Sequence, residues 1–299
     1  MIAGHPYRSV WSELHATAFR QDWIEADGLR TRFIEAGSPD TPPVVMLHGT
    51  AGSWENFCAN IAAHAEHHHV FAFDMIGSGL TDKPDYDYET LHYVRHLLGF
   101  LDAVGLRRSS LIGLSLGARV AARFAIDHPD RVDRMILLSA TAFFPAREVQ
   151  KGIQASRATA AQNPTWENVR EIFKGLVHDE AAIPDDLIAI RLAIYSRPEM
   201  KEAMGHILAL LDPEVYNRNR IPEADWRRIA APTLIVAAVD HADVFLDTAR
   251  AVSRLIPEVR VEEMRAVSHW PQLENAAAFN ALSLAFLAQD TGASGRVSE

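Results

Sequence analysis

One stretch, Leu111-Ile112-Gly113-Leu114-Ser115-Leu116-Gly117-Ala118, constrains the folding of this chain more than any other. Up to Leu114 it reads as a strand buried on both faces, and from Leu116 onward apolar residues recur at helical spacing. A strand that becomes a helix across a single residue has to turn sharply at Ser115. The positions two before and two after such a turn tolerate only the smallest side chains, and Gly113 and Gly117 fill them. The pattern is that of a nucleophile elbow. It sets Ser115 at a helix N-terminus, where unpaired N–H groups and the positive dipole end favour developing negative charge. A buried structural serine between glycines gives the same five residues, so partners elsewhere in the chain have to decide.

The segments on either side alternate strand and helix signals. Trp11, Leu14, Ala18 and Phe19 recur at roughly helical spacing, which predicts a short helix within 1–22 that clasps the body. Strand-like runs from Trp23 to Ala36 flank Asp27-Gly28, a hairpin signal. Val44-Val45-Met46-Leu47 reads as a buried strand that ends in His48-Gly49-Thr50-Ala51-Gly52. Small residues there let backbone N–H groups approach a ligand, with Thr50 the expected oxyanion donor. A further buried strand is expected at 70–74, more strands at 135–138, 233–237 and 259–264, and helices at 54–63, 90–104, 246–255 and 276–287. Such alternation makes an α/β fold with a parallel sheet. From Phe143 to Pro232 the strand rhythm stops, and prolines at 164, 184, 198, 213 and 222 punctuate helical segments. The expected division is an N-terminal helical extension at 1–22, a core at 23–142 and 226–290, a helical cap at 143–225 and a disordered tail at 291–299.

Composition removes several function classes. The 299 residues are 48% hydrophobic and 23% charged, enough for one large α/β domain. A net charge of −10 without a compensating basic run argues against a phosphate backbone or an anionic membrane surface as partner. Cys58 stands alone, which rules out an internal disulfide and suits a reducing compartment. No transmembrane run occurs, and the opening Met1 to Pro6 lacks the basic and apolar parts of a secretory signal, so a cytoplasmic location is the default expectation. His64, His67, His68 and His69 invite a metal reading; near-adjacent imidazoles do not easily converge on one ion and no second ligand cluster accompanies them, so none is expected. Met75-Ile76-Gly77-Ser78-Gly79 lacks the spacing and lysine of a phosphate loop.

A hydrolytic site needs a nucleophile, a base within reach, and an acid that orients the base. Ser115 follows one expected strand, Asp240 and Asp243 follow the strand resumed after the cap, and His269 follows the last. All lie at C-terminal strand ends, where open parallel sheets bind ligands. The backbone N–H groups of Thr50 and Leu116 would hold an oxyanion.

On these residues the chain resembles the α/β-hydrolase superfamily, and within it the carbon–carbon hydrolases that cleave products of aromatic-ring meta-cleavage. The narrower resemblance rests on His48-Gly49 with Trp54-Glu55-Asn56, on 74–79, on Thr81-Asp82-Lys83-Pro84, on Gly113 to Gly117, on Arg191 and on His269-Trp270-Pro271. It implies a mostly parallel eight-stranded sheet with an inserted helical cap, no cofactor, and hydrolysis of a vinylogous 1,5-diketone of the 2-hydroxy-6-oxo-dienoate type. It further implies that Arg191 and Asn56 bind the dienol-carboxylate end, that Trp270 walls the pocket, that His269 relays protons, and that Ser115 attacks the distal carbonyl after ketonisation.

Three positions depart from the family pattern. An ungapped match over 232–257 puts the family's acid on His241, so the acid here is Asp240, one residue earlier, with Asp243 as the alternative. Leu114 replaces a polar residue, and Ala118-Arg119 stands where glycine and a neutral residue are usual. A carboxylesterase and a non-turnover small-molecule-binding homologue remain alternatives that the same residues support. The expected partner is a small-molecule substrate, and a homodimer is the default assembly.

Overall fold

A computed structural model describes residues 9–144, 147–240 and 243–289. The tail expected to be disordered from 291 lies outside the described residues, as does His241. A short helix α1 (Val10–Leu14), capped by the Ser9 hydroxyl, leads into β1 (Phe19–Ala26) and β2 (Leu29–Ala36). These two pair along their whole length, Phe19 opposite Ala36 and Ala26 opposite Leu29. Asp27 and Gly28 both take positive φ, 50° and 74°, as a tight hairpin turn with the twist of its strands requires. The first strand therefore begins at Phe19, inside the segment read as helical. The cause is cross-strand pairing: Arg20 reaches Glu35 at 2.5 Å on the exposed face, and that register carries the strand back past Trp23.

Next come β3 (Pro43–Leu47), α2 (Cys58–Ala65), β4 (His69–Phe73), α3 (Thr90–Ala103), β5 (Ser109–Leu114), α4 (Leu116–Asp127) and β6 (Val132–Leu138). Between β6 and the next strand the described residues form helices joined by turns: α5 (Arg147–Gln162), α6 (Trp166–Lys174), α7 (Asp185–Tyr195), α8 (Met200–Leu208), α9 (Pro213–Arg218) and α10 (Glu223–Trp226), which make up the cap. After it follow β7 (Thr233–Ala238), α11 (Val244–Val252), β8 (Val259–Met264), α12 (Pro271–Glu274) and α13 (Ala276–Leu287).

The eight strands lie in the order β1-β2-β4-β3-β5-β6-β7-β8. β1–β2 and β2–β4 are antiparallel and the other pairings parallel. Every residue of β4 and β5 is buried, which is why 70–73 and 111–114 read as apolar runs. Edge strand β8 is blunted by Arg260, Glu262 and Glu263. The chain leaves β3 toward β4 on one side and later fills the other side with β5, so the loops after β3 and β5 part and open a crevice at their C-terminal ends.

The cap is tied across that crevice. Tyr195 Oη donates to Ala51 O (3.2 Å), the Tyr88 N–H donates to His206 O (3.2 Å), and Arg218 pairs with Glu89 (2.7 Å). The histidine run disperses: His64 bonds Asn60 O and Ser283, His68 bonds Pro42 O, and His69 bonds Glu35.

Candidate active site

Ser115 lies between β5 and α4 with φ +55° and ψ −108°, a conformation that costs a non-glycine residue about 1–3 kcal/mol and persists only where its surroundings impose it. Here they do. Its N–H donates to Leu138 O (2.9 Å), and a Cβ on Gly113 would collide with the Gly117 carbonyl while one on Gly117 would collide with Leu47 O. Elbow and β3 are thus in backbone contact, which brings the loop after β3 to Ser115. A Cβ built on Gly49 would sit 3.6 Å from Ser115 Cβ.

Leu116 opens α4, so its N–H has no partner within the helix, and Thr50, Leu116 and Ser115 line one cavity. The Thr50 loop is held by His48. The Met75 N–H donates to His48 Nε2 (3.0 Å), which leaves the proton on Nδ1 to donate to Gly49 O (2.7 Å). Burial pushes the His48 imidazole down to about 4, so it stays neutral and acts as a brace for the loop. Ala51, φ +54°, carries the carbonyl that Tyr195 grips.

Two lobes meet at Ser115. The proximal lobe is lined by Asn56, Arg157, Arg191, His269 and Trp270, and no acidic residue lines it. Asn56 spends its Oδ1 on the Ser53 N–H (3.1 Å), leaving Nδ2 buried and unpaired. Arg191, on α7, is 4% exposed; its guanidinium lies 5.5 Å from the Phe173 ring and 5.6 Å from the Tyr195 ring, and its Nε has no partner. Trp270 meets Phe173 edge-on, centroids 5.4 Å apart, and so closes the wall beside Arg191. Arg157 of α5 was not legible in the sequence. Its Nε is also buried and unpaired, and burial, then the charge of Arg191, pushes it down to about 10. Arginine side chains so buried are rare without counter-ions. The distal lobe, a cavity of about 40 Å³, is mostly apolar, with Arg119, Gln150, Thr141 and Tyr216 among its polar lining.

His269 follows β8, and its ring packs 4.3 Å from Phe245 while its carbonyl accepts from Ser139 Oγ (2.9 Å). Burial first, then Arg157, pushes the imidazole down to about 3, so it is a neutral ring able to accept a proton. His269 Nδ1 has no hydrogen-bond partner among the described residues. The Asp240 carboxylate does not reach it: Oδ2 accepts from the Ala266 N–H (2.5 Å), Oδ1 lies 3.5 Å from Arg265, and the residue is exposed. Asp243 instead lines the same small cavity as His269. It caps α11 through Oδ1, which accepts from the Phe245 and Leu246 N–H groups (2.9 and 3.0 Å). Leu114 is fully buried at the end of β5 and presents no polar atom to the site.

Beneath the proximal lobe, Arg32 is buried with two carboxylates, Asp74 at 2.6 Å and Glu55 at 2.9 Å. Asp74 also accepts from the Trp54 N–H (2.9 Å). The trio therefore fixes the turn that carries Asn56.

Sheet order, elbow and cap together define an α/β-hydrolase. The model of the α/β hydrolase fold family matches residues 42–189. A 2-hydroxy-6-oxononadienedioate/2-hydroxy-6-oxononatrienedioate hydrolase of Paraburkholderia xenovorans is 31% identical over 88% of this chain and 93% of its own. The 2-hydroxy-6-oxo-2,4-heptadienoate hydrolase of Pseudomonas putida is 29% identical over 89% and 96%. Among solved structures, the meta-cleavage product hydrolase CumD of Pseudomonas fluorescens superposes with a TM-score of 0.78 at 25% identity, over 89% of this chain and 97% of that one. The chain belongs to the α/β-hydrolase family, in the branch of the meta-cleavage product hydrolases.

Proposed function

We propose that the protein hydrolyses a carbon–carbon bond in a 2-hydroxy-6-oxo-dienoate, with Ser115 as nucleophile and His269 as base. The observation that carries this reading is the set of unpaired donors beside Ser115: Arg157 Nε, Arg191 Nε and Asn56 Nδ2, all buried and none facing a carboxylate. A planar anion with a carboxylate and an adjacent enolate oxygen would satisfy them, since guanidinium groups fork onto such oxygens. A simple ester offers nothing comparable.

With that end held, transfer of the dienol proton to the carbon beside the distal carbonyl gives the keto form. Ser115 then adds to that carbonyl as His269 takes its proton, and the N–H groups of Thr50 and Leu116 hold the oxyanion. Collapse breaks the carbon–carbon bond, and its electron pair passes through the enone to the oxygen beside Arg191. The dienolate takes the proton held by His269 and leaves as the dienoate, and the freed imidazole then deprotonates water, which hydrolyses the acyl-serine to a second carboxylic acid and returns the proton to Ser115. For the orienting acid, Asp243 is the better candidate because Oδ2 is spare and the residue shares a cavity with His269. Asp240, expected from the sequence, is committed to the Ala266 N–H.

The test follows the dienol chromophore. Wild-type protein should bleach it, Ser115→Ala should lose about 10³-fold or more in kcat, and Asp243→Asn should lose at least about 10²-fold where Asp240→Asn does not. Hydrolysis of p-nitrophenyl esters with no bleaching of any dienol would sink the carbon–carbon reading.

A further inference from the structure

The distal lobe holds a charge that the reaction above does not use. Arg119 lies on the first turn of α4, where its N–H bonds back to Ser115 O (3.1 Å), and it is 2% exposed. Its guanidinium stacks 4.4 Å from the Tyr216 ring, and Nη1 is buried without a partner. Burial holds its pKa below the usual arginine value, yet the residue pairs with no carboxylate, and no acidic residue lines the lobe. Across the same space the cap contributes Gln150, 4% exposed, whose Nε2 is likewise buried and unpaired.

Two unsatisfied donors lining one mostly apolar lobe are costly unless something accepts from them. The Tyr216 hydroxyl takes part of the Arg119 guanidinium by a side-chain hydrogen bond while donating to Phe144 O (2.8 Å) and accepting from the Ala142 N–H (3.3 Å), and Arg119 Nη1 is still left over. Ser115 lines both lobes. A substrate whose dienol-carboxylate occupies the Arg157–Arg191 side and whose carbonyl lies at Ser115 must extend its acyl substituent toward Arg119.

We infer that Arg119 and Gln150 form a second anion subsite, so that the substrate is a dianion whose acyl chain ends in a carboxylate and whose released acid is a dicarboxylic acid. This rests on the reading that Ser115 cleaves a 2-hydroxy-6-oxo-dienoate. Hydrolysis stays balanced: the acyl carbon gains hydroxyl, the dienoate carbon gains hydrogen, and the terminal carboxylate is unchanged. Arg119 is a specificity residue here, one turn from the nucleophile and outside the proton relay.

Two dienoates of equal length, one ending in carboxylate and one in methyl, separate this from a structural stack of Arg119 on Tyr216. Wild-type protein should favour the carboxylate by about 10-fold or more in kcat/KM, about 1.4 kcal/mol. Arg119→Met should lower that preference by about 30-fold or more, chiefly through KM, Arg119→Lys should restore part of it, and Gln150→Leu should lower it by a smaller factor. A stack that only supports the fold would lower both substrates together, and an unchanged ratio in Arg119→Met and Gln150→Leu overturns the inference.

Calorimetry with glutarate keeps the subsite testable apart from the chemistry. If neither dienoate is cleaved, the parent reading fails, while glutarate binding that is lost in Arg119→Met and Gln150→Leu still supports the subsite. Glutarate that binds neither the wild type nor the variants, together with no turnover, overturns both.

Discussion

His269, the proposed base, illustrates how much of a site residue's setting is decided by neighbours that the local sequence does not announce. The residue itself was readable, because a histidine after the last strand completes a serine-base order, and Ser115 was readable because the glycines around it have a steric cause. Arg157 was not, since α5 is polar along most of its length and only the fold of the cap selects which side chain turns inward. The acid was ambiguous for a related reason: Asp240 and Asp243 lie in one short loop, and their partners are backbone groups, the Ala266 N–H and the α11 terminus, that no pattern of side chains encodes. Burial first, and then the charge of Arg157, disfavours the imidazolium, so the folded-state pKa of His269 lies below the ordinary 6.5 and a base at this position would stay active to acid pH. Arg157→Gln should move the acid limb of kcat/KM upward, toward 6.5, with a rise in KM. Because a bound dienoate would neutralise Arg157, the limb of kcat in the wild-type protein should lie above that of kcat/KM.

Elements were easier to read in the core than at its borders. Strands β3 to β7 each contain a continuous apolar run, and α3 carries clear periodicity, so their order was legible. The first strand was not, because the alternation of 19–26 overlaps a helical spacing and only pairing with β2 resolves it. The cap is attached to the core by a clasp that titrates. His206 of α8 binds Asp87 through Nδ1 (2.9 Å) and Asp85 through Nε2 (3.0 Å), and these carboxylates raise its pKa above 6.5. A raised histidine pKa means that its contribution is complete below pH 6.5 and fades as pH rises through the folded-state value. Amide exchange of residues 85–89 and 200–208, corrected for intrinsic chemistry, should quicken between about pH 6 and 8 in the wild-type protein. In His206→Ala it should be fast throughout. The same pH response in both proteins would show that the clasp has another source.

At the scale of the whole molecule, site and stability share a foundation. Arg32 comes from β2, Glu55 from the turn before α2 and Asp74 from the end of β4, so one buried trio joins the antiparallel edge, the Asn56 turn and the sheet centre. Removing the cation would strand two buried carboxylates, and Arg32→Ala should cost about 3–5 kcal/mol in a denaturant titration. It should also lower kcat/KM by loosening Asn56. A small stability change with normal activity would show that the trio is ornamental. One further contact joins the cap to the chemistry itself. The hydroxyl of Tyr195 holds the carbonyl of Ala51, next to Thr50, and Tyr195 lies one turn along α7 from Arg191. If Arg191 holds a substrate anion as proposed, that anion would pull on the same helix whose Tyr195 grips the loop beside Thr50, so recognition at one end of the ligand would tune electrophile activation at the other through a single lever.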